Sequence, residues 1–265
     1  VQSNMSKKIT TKRLVRFNLI MAGLHAVQAL LVFILSDPNR GVWRVTANHL
    51  TLGPGSTPDK PVLASATQPI FNINLAYLVI AFFLLSATAH LFVATVYRRR
   101  YQADLEHGIN KIRWIEYAFS ASTMMIGIAI LSGIYDLGSL VMIFGLTAIM
   151  NLMGLAMEVY NQSREKVSWL AYTIGAFAGI LPWVVIGIYF WAGENYGSGE
   201  IPTFVYYIYA SIFLFFNCFA VNMILQYKKL GKWQNYLYGE KAYIILSLLA
   251  KSALAWQVFA GTLRP

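Results

Sequence analysis

Seven apolar stretches, at roughly 14–36, 70–97, 108–133, 138–160, 167–192, 202–227 and 240–262, constrain this chain more than any other feature. Each has about the twenty residues that a helix needs to cross the hydrocarbon core of a bilayer. Inside that core a chain must satisfy its backbone polar groups internally, and continuous helices do so. The sequence therefore predicts an all-α membrane protein in which residues 1–265 form one seven-helix domain. Composition agrees: 57% of the residues are hydrophobic and 12% are charged. The mean hydropathy is +0.54, well above that of an ordinary soluble domain.

A net charge of +10 would suit nucleic acid if it covered a soluble face. Here the lysines and arginines sit in short segments between the apolar runs, so no nucleic-acid partner is expected and the charges report topology. Sixteen of them flank one side: Lys7, Lys8, Lys12, Arg13 and Arg16, then Arg98, Arg99, Arg100, Lys111 and Arg113, then Arg164 and Lys166, then Lys228, Lys229, Lys232 and Lys241. The other side has four, Arg40, Arg44, Lys60 and Arg264. This asymmetry places the N-terminus in the cytoplasm and the C-terminus outside, in a multi-pass protein of the cell membrane surrounded by lipid.

The first apolar stretch lacks a small-residue cleavage pattern and is expected to remain as an anchor. Met5 begins a plausible native start, which would make the residues before it an expression remnant. The connection over 37–69 has extended runs around a Gly-Pro-Gly-Ser-Thr-Pro turn region and is expected to form an extracellular β-hairpin. Cys218, the single cysteine, excludes an internal disulfide and a thiolate zinc cage; no metal site is expected.

Ionisable residues within spans cost on the order of 2.5–3.5 kcal/mol each on insertion scales and need a reason. Four stand out: His25, His90, Glu116 and Lys251. Glu116 and Lys251 lie at similar depths in the third and seventh spans, at about 1.5 Å of rise per residue, so they are expected to pair. A buried ion pair is a poor source of stability, because desolvation roughly cancels the attraction. A lysine in a dry aromatic pocket forms Schiff bases readily, and a nearby carboxylate lets the resulting imine keep a proton. Ser86 lies one turn before His90 on the same face of the second span. The two histidines suggest a polar cavity able to take or pass a proton. Aromatic walls are available in the fifth and sixth spans, with Trp183, Tyr209 and Phe213 as candidates.

Two strings carry a resemblance: Arg113-Trp114-Ile115-Glu116-Tyr117-Ala118-Phe119-Ser120-Ala121-Ser122 in the third span, and Ser247-Leu248-Leu249-Ala250-Lys251-Ser252-Ala253-Leu254-Ala255-Trp256-Gln257-Val258-Phe259 in the seventh. They resemble the heliorhodopsin family, a family of microbial retinal proteins of inverted topology, and the resemblance extends over the whole chain. It implies a rhodopsin-like seven-helix fold and all-trans retinal linked to Lys251. Glu116 would be the sole carboxylate counterion, and His25, His90, Ser86, Ser120 and Ser247 would line the Schiff-base cavity. It further implies a non-pumping photoreceptor rather than an enzyme, a signalling partner of unknown kind, and a homodimer through the fourth and fifth spans. Gly175 and Gly179 make a GxxxG step in the fifth span that permits close helix approach, within one bundle or between two.

The residues also argue against a proton pump of the usual kind. Positions 123–131 carry no second carboxylate to reload the site, and Ser247 stands where familiar microbial rhodopsins have a second acidic counterion. A light-driven ion transporter or channel, and a non-retinal transporter using the Glu116/Lys251 pair, remain the alternative readings.

Overall fold

The computed structural model describes residues 9–265. Lys7, Lys8 and the proposed start at Met5 lie outside the described residues. Among the described residues, seven helices are long and apolar enough to cross a membrane: α1 (Thr11–Leu35), α2 (Leu75–Ala94), α4 (Lys111–Leu131), α5 (Leu137–Asn161), α6 (Leu170–Tyr196), α7 (Thr203–Tyr227) and α8, which runs from Tyr236 to Val258 and continues as a wider π-type turn to Leu263. A short helix, α3 (Arg98–Glu106), lies between α2 and α4.

Local sequence sets the helix starts. Thr10, Asn74, Asn110, Asp136 and Asn235 each accept a backbone N–H from the first turn of the helix that follows, satisfying donors that a helix N-terminus otherwise leaves unpaired. The chain leaves α3 through Gly108 at φ +72°, which a side chain would disfavour. Pro182 sits inside α6 and is buried.

The expected hairpin is present. Strand β1 (Val42–Leu52) pairs antiparallel with β2 (Leu63–Asn74), in register from Val42 opposite Asn74 to Leu52 opposite Leu63, with a bulge between Val45 and Thr46. It docks on the bundle through buried Val45, a Trp43–Tyr135 stack at 5.3 Å, and the Thr46 N–H bonded to the Tyr135 carbonyl at 2.9 Å. β2 takes residues 70–74 from the expected second span, so α2 begins at Leu75. Apolarity alone cannot separate a strand end from a helix start, and Asn74 ends one and caps the other. α3 was also unexpected in a region read as loop. Its sequence is strongly charged, and only Tyr101 and Leu105 turn inward.

Successive helices α1/α2, α4/α5, α5/α6 and α7/α8 pack together, and α1 meets α8 to close the bundle. α6 and α7 meet through aromatic rings, with Trp183 edge-on to Tyr209, Phe213 and Phe216. Gly175 and Gly179 face Met150 and Met153 of α5, so the GxxxG step serves packing inside this bundle.

Candidate functional site

Lys251 on α8 and Glu116 on α4 are both buried, at 3% and 9% exposure. Lys251 Nζ lies 3.2 Å from Glu116 Oε1 and donates to Ser247 Oγ, one turn earlier on α8, at 2.8 Å. The Ser86 hydroxyl on α2 donates to the same Glu116 oxygen at 2.6 Å. Ser120, one turn along α4 from Glu116, is fully buried beside that carboxyl. Three helices thus converge on one ammonium–carboxylate pair, and the Tyr117 ring lies 5.2 Å from Lys251 Nζ.

His25 and His90 stack with ring centroids 5.5 Å apart and planes 8° from parallel. His25 is fully buried, and among the described residues neither of its ring nitrogens has a hydrogen-bond partner. His90 Nδ1 lies 2.6 Å from Asn18 Oδ1. A small cavity of about 330 Å³, counting the space at its mouth, is lined by His90, Asn18, Glu116, Asn110 and Arg113. Its lining runs from Glu116 of the pair to Asn110 and Arg113 at the start of α4.

A larger cavity opens on the other side of Lys251. It holds about 800 Å³, counting its mouth, and is walled by Trp114, Tyr117, Tyr172, Phe216, Phe219 and Met150 among others. Small-molecule pockets are mostly apolar with a few placed polar groups, and the lining here has that character, with Lys251, Ser247 and Asn151 among the aromatic and aliphatic walls. Gly154 also lines it, and a β-carbon there would strike the Trp114 ring. An apolar, aromatic cavity with one lysine amine in its wall fits an extended polyene aldehyde such as retinal. Trp183, Tyr209 and Phe213, expected as walls, do not line this cavity. Trp183 packs one layer behind, edge-on to the lining residue Phe216, and Phe213 packs against Trp183 at 5.2 Å with 36% of its surface exposed.

The sequence reading missed a second buried charge cluster. Arg113, counted as a loop cation, is 6% exposed. Its guanidinium bonds Glu158 of α5 at 2.5 Å through Nη2 and Glu240 of α8 through Nη1. Glu158 also accepts from the Asn110 N–H at 2.9 Å, Trp114 Nε1 at 2.8 Å and the Tyr236 hydroxyl at 3.1 Å. Asn110 Nδ2 donates to Glu240 at 2.8 Å. Both glutamates fall within the ranges read as the fourth and seventh spans, at their edges. That position was the available signal, and it makes four an undercount of the buried ionisable groups.

Residues 14–263 match the family model for heliorhodopsin. The chain belongs to the heliorhodopsin family. Membership makes it a seven-helix, multi-pass membrane rhodopsin of the retinal-binding, light-sensing kind. No curated protein matches this heliorhodopsin in sequence.

Proposed function

We propose that Lys251 carries all-trans retinal as a protonated Schiff base, that Glu116 is its counterion, and that light drives internal proton transfer and helix rearrangement without ion pumping. The observation that carries this reading is the Lys251–Glu116 pair, 3.2 Å apart, in the wall of the aromatic cavity. When bound, retinal supplies visible absorption and a light-driven change of shape. Glu116 balances the positive charge at Nζ, while Ser86 and Ser247 orient the two partners. Beyond Ser247 and Glu116, which touch Nζ directly, the histidine pair and the small cavity next to Glu116 offer polar surroundings to a proton leaving Nζ. Two features favour a sensor over a pump: α4 carries no carboxylate beyond Glu116 toward its far end, and Glu158 and Glu240 are both held by Arg113.

The charge asymmetry supports a cytoplasmic N-terminus, with α3 on the cytoplasmic side and the hairpin outside. A homodimer through α5 and α6 belongs to the same reading, and their exposed Met142, Ile149 and Phe177 supply an apolar contact face.

The deciding experiment is the visible spectrum of protein made with all-trans retinal, beside Lys251→Ala and Glu116→Gln. The native chain is expected to show a band that disappears without Lys251 and shifts without the Glu116 charge. A colourless native protein would sink the retinal linkage and return the pair to a transporter reading. Illuminated cells are expected to show no change in external pH or membrane potential.

A further inference from the structure

Asn18 lies on α1 at 2% exposure, between the histidine pair and α3. Its amide nitrogen donates to the Leu14 carbonyl at 2.8 Å and to the Tyr101 hydroxyl at 3.1 Å. A carbonyl oxygen only accepts, so the nitrogen must face Leu14 and the amide oxygen must face away. That oxygen is the atom 2.6 Å from His90 Nδ1. Nδ1 therefore bears a hydrogen, and in the neutral ring Nε2 keeps a free lone pair. The charged and titratable groups around the ring are His25, stacked on it, Glu116, Tyr117 and the Glu-paired Arg113 across the small cavity, and Lys251. At the other end of the chain of bonds, Tyr101 is 1% exposed and anchors α3, whose outer residues Arg98, Arg99 and Arg100 are exposed.

We infer that Asn18 is a positioning residue that presets His90 to take a proton at Nε2 and couples that event to the arginine-bearing helix α3. The inference rests on the reading in which a proton leaves Lys251 Nζ on illumination. That proton bonds to the Nε2 lone pair, Glu116 stays ionised, and His90 becomes a cation. The Nδ1–H bond to Asn18 then becomes charge-assisted and stronger. Pulling on the amide oxygen polarises its nitrogen, which strengthens donation to Tyr101 in turn. A change of charge at the site thus reaches the docking of α3 through two hydrogen bonds and one amide.

The tautomer is tested in the dark, without chromophore, by nitrogen NMR of histidine-labelled full-length protein in lipid, with His90→Gln to assign the signal. The native chain is expected to show Nδ1–H. Asn18→Leu is expected to lose that preference, and Asn18→Asp, which still accepts, to keep it. An Nε2–H signal in the native chain, or no change in Asn18→Leu, overturns the inference while leaving the retinal reading intact. The coupling is tested by hydrogen exchange over residues 98–106 in dark and light. Tyr101→Phe is expected to keep the visible band and lose the light-dependent change in exchange. Persistence of that change in Tyr101→Phe, or its absence from a coloured native protein, overturns the coupling.

Discussion

Trp114 occupies the space that a side chain on Gly154 would need. The ring is not free to swing aside, because Nε1 donates to Glu158 and its edges meet Tyr117 and Tyr243. Gly154→Ala is therefore expected to cost about 1–3 kcal/mol, the range for overpacking a well-filled core. It should also lower the yield of the visible band, since Trp114 lines the large cavity. Adding Trp114→Phe should recover part of both losses, because neighbouring sites that share one space do not act additively. Thermal midpoints and band yields of the three proteins check this, and an unchanged Gly154→Ala would show that the ring yields at no cost.

Arg113 joins α4 to α5 through Glu158 and to α8 through Glu240. Arg113→Met would leave two buried carboxylates without their shared cation. Breaking a buried pair in this way typically costs about 3–5 kcal/mol. Arg113→Lys is expected to rescue little, because an ammonium is a point charge and cannot present two separate nitrogens to two carboxylates. Detergent-solubilised protein should unfold at lower denaturant in both variants. Recovery of the native midpoint by lysine would show that net charge matters more than the fork.

Ser86 is the hydroxyl donor to Glu116 at 2.6 Å. A hydrogen bond to a charged group contributes about 1.5–3 kcal/mol, so Ser86→Ala should weaken the ionised state of the counterion. The visible band is expected to move in the same direction as in Glu116→Gln, by a smaller amount. A shift of opposite sign would mean that Ser86 acts on the lysine nitrogen instead of the carboxylate.

Seven apolar runs and a lysine and glutamate placed at matching depth are legible in sequence because a bilayer makes both unusual. The hairpin is legible from its turn residues. Arg113 is not, because a cation at the edge of an apolar run looks the same whether it points to water or folds back onto Glu158. Asn18 escaped for a related reason: a neutral amide costs less than a charge, and its importance lies in partners on α2 and α3 that are far away in sequence. Trp183, Tyr209 and Phe213 show the limit of counting aromatics, since a run of rings along a helix does not reveal which of them face a cavity.

Asp136 caps α5 by accepting the Ser139 N–H at 2.9 Å and the Ser139 hydroxyl at 3.0 Å. The backbone bond from Ser139, ahead of the other contacts, holds this carboxyl below the usual aspartate range. A depressed acid in the folded state stabilises the protein at pH values above the ordinary aspartate value of about 3.9, and that contribution fades as pH falls through the lower folded value. Asp136→Ala should lose about 1 kcal/mol at neutral pH, as for other cap removals. Asp136→Asn keeps an equivalent cap but cannot titrate, so its stability should fall less steeply in acid than that of the native chain. The neighbouring Tyr135 carries the Trp43 stack and the hydrogen bond to Thr46, so protease cleavage of the hairpin should follow the same acid profile. Thermal midpoints across pH and cleavage rates at each pH check both expectations. An identical acid decline in Asp136→Asn would assign the loss to other carboxyl groups.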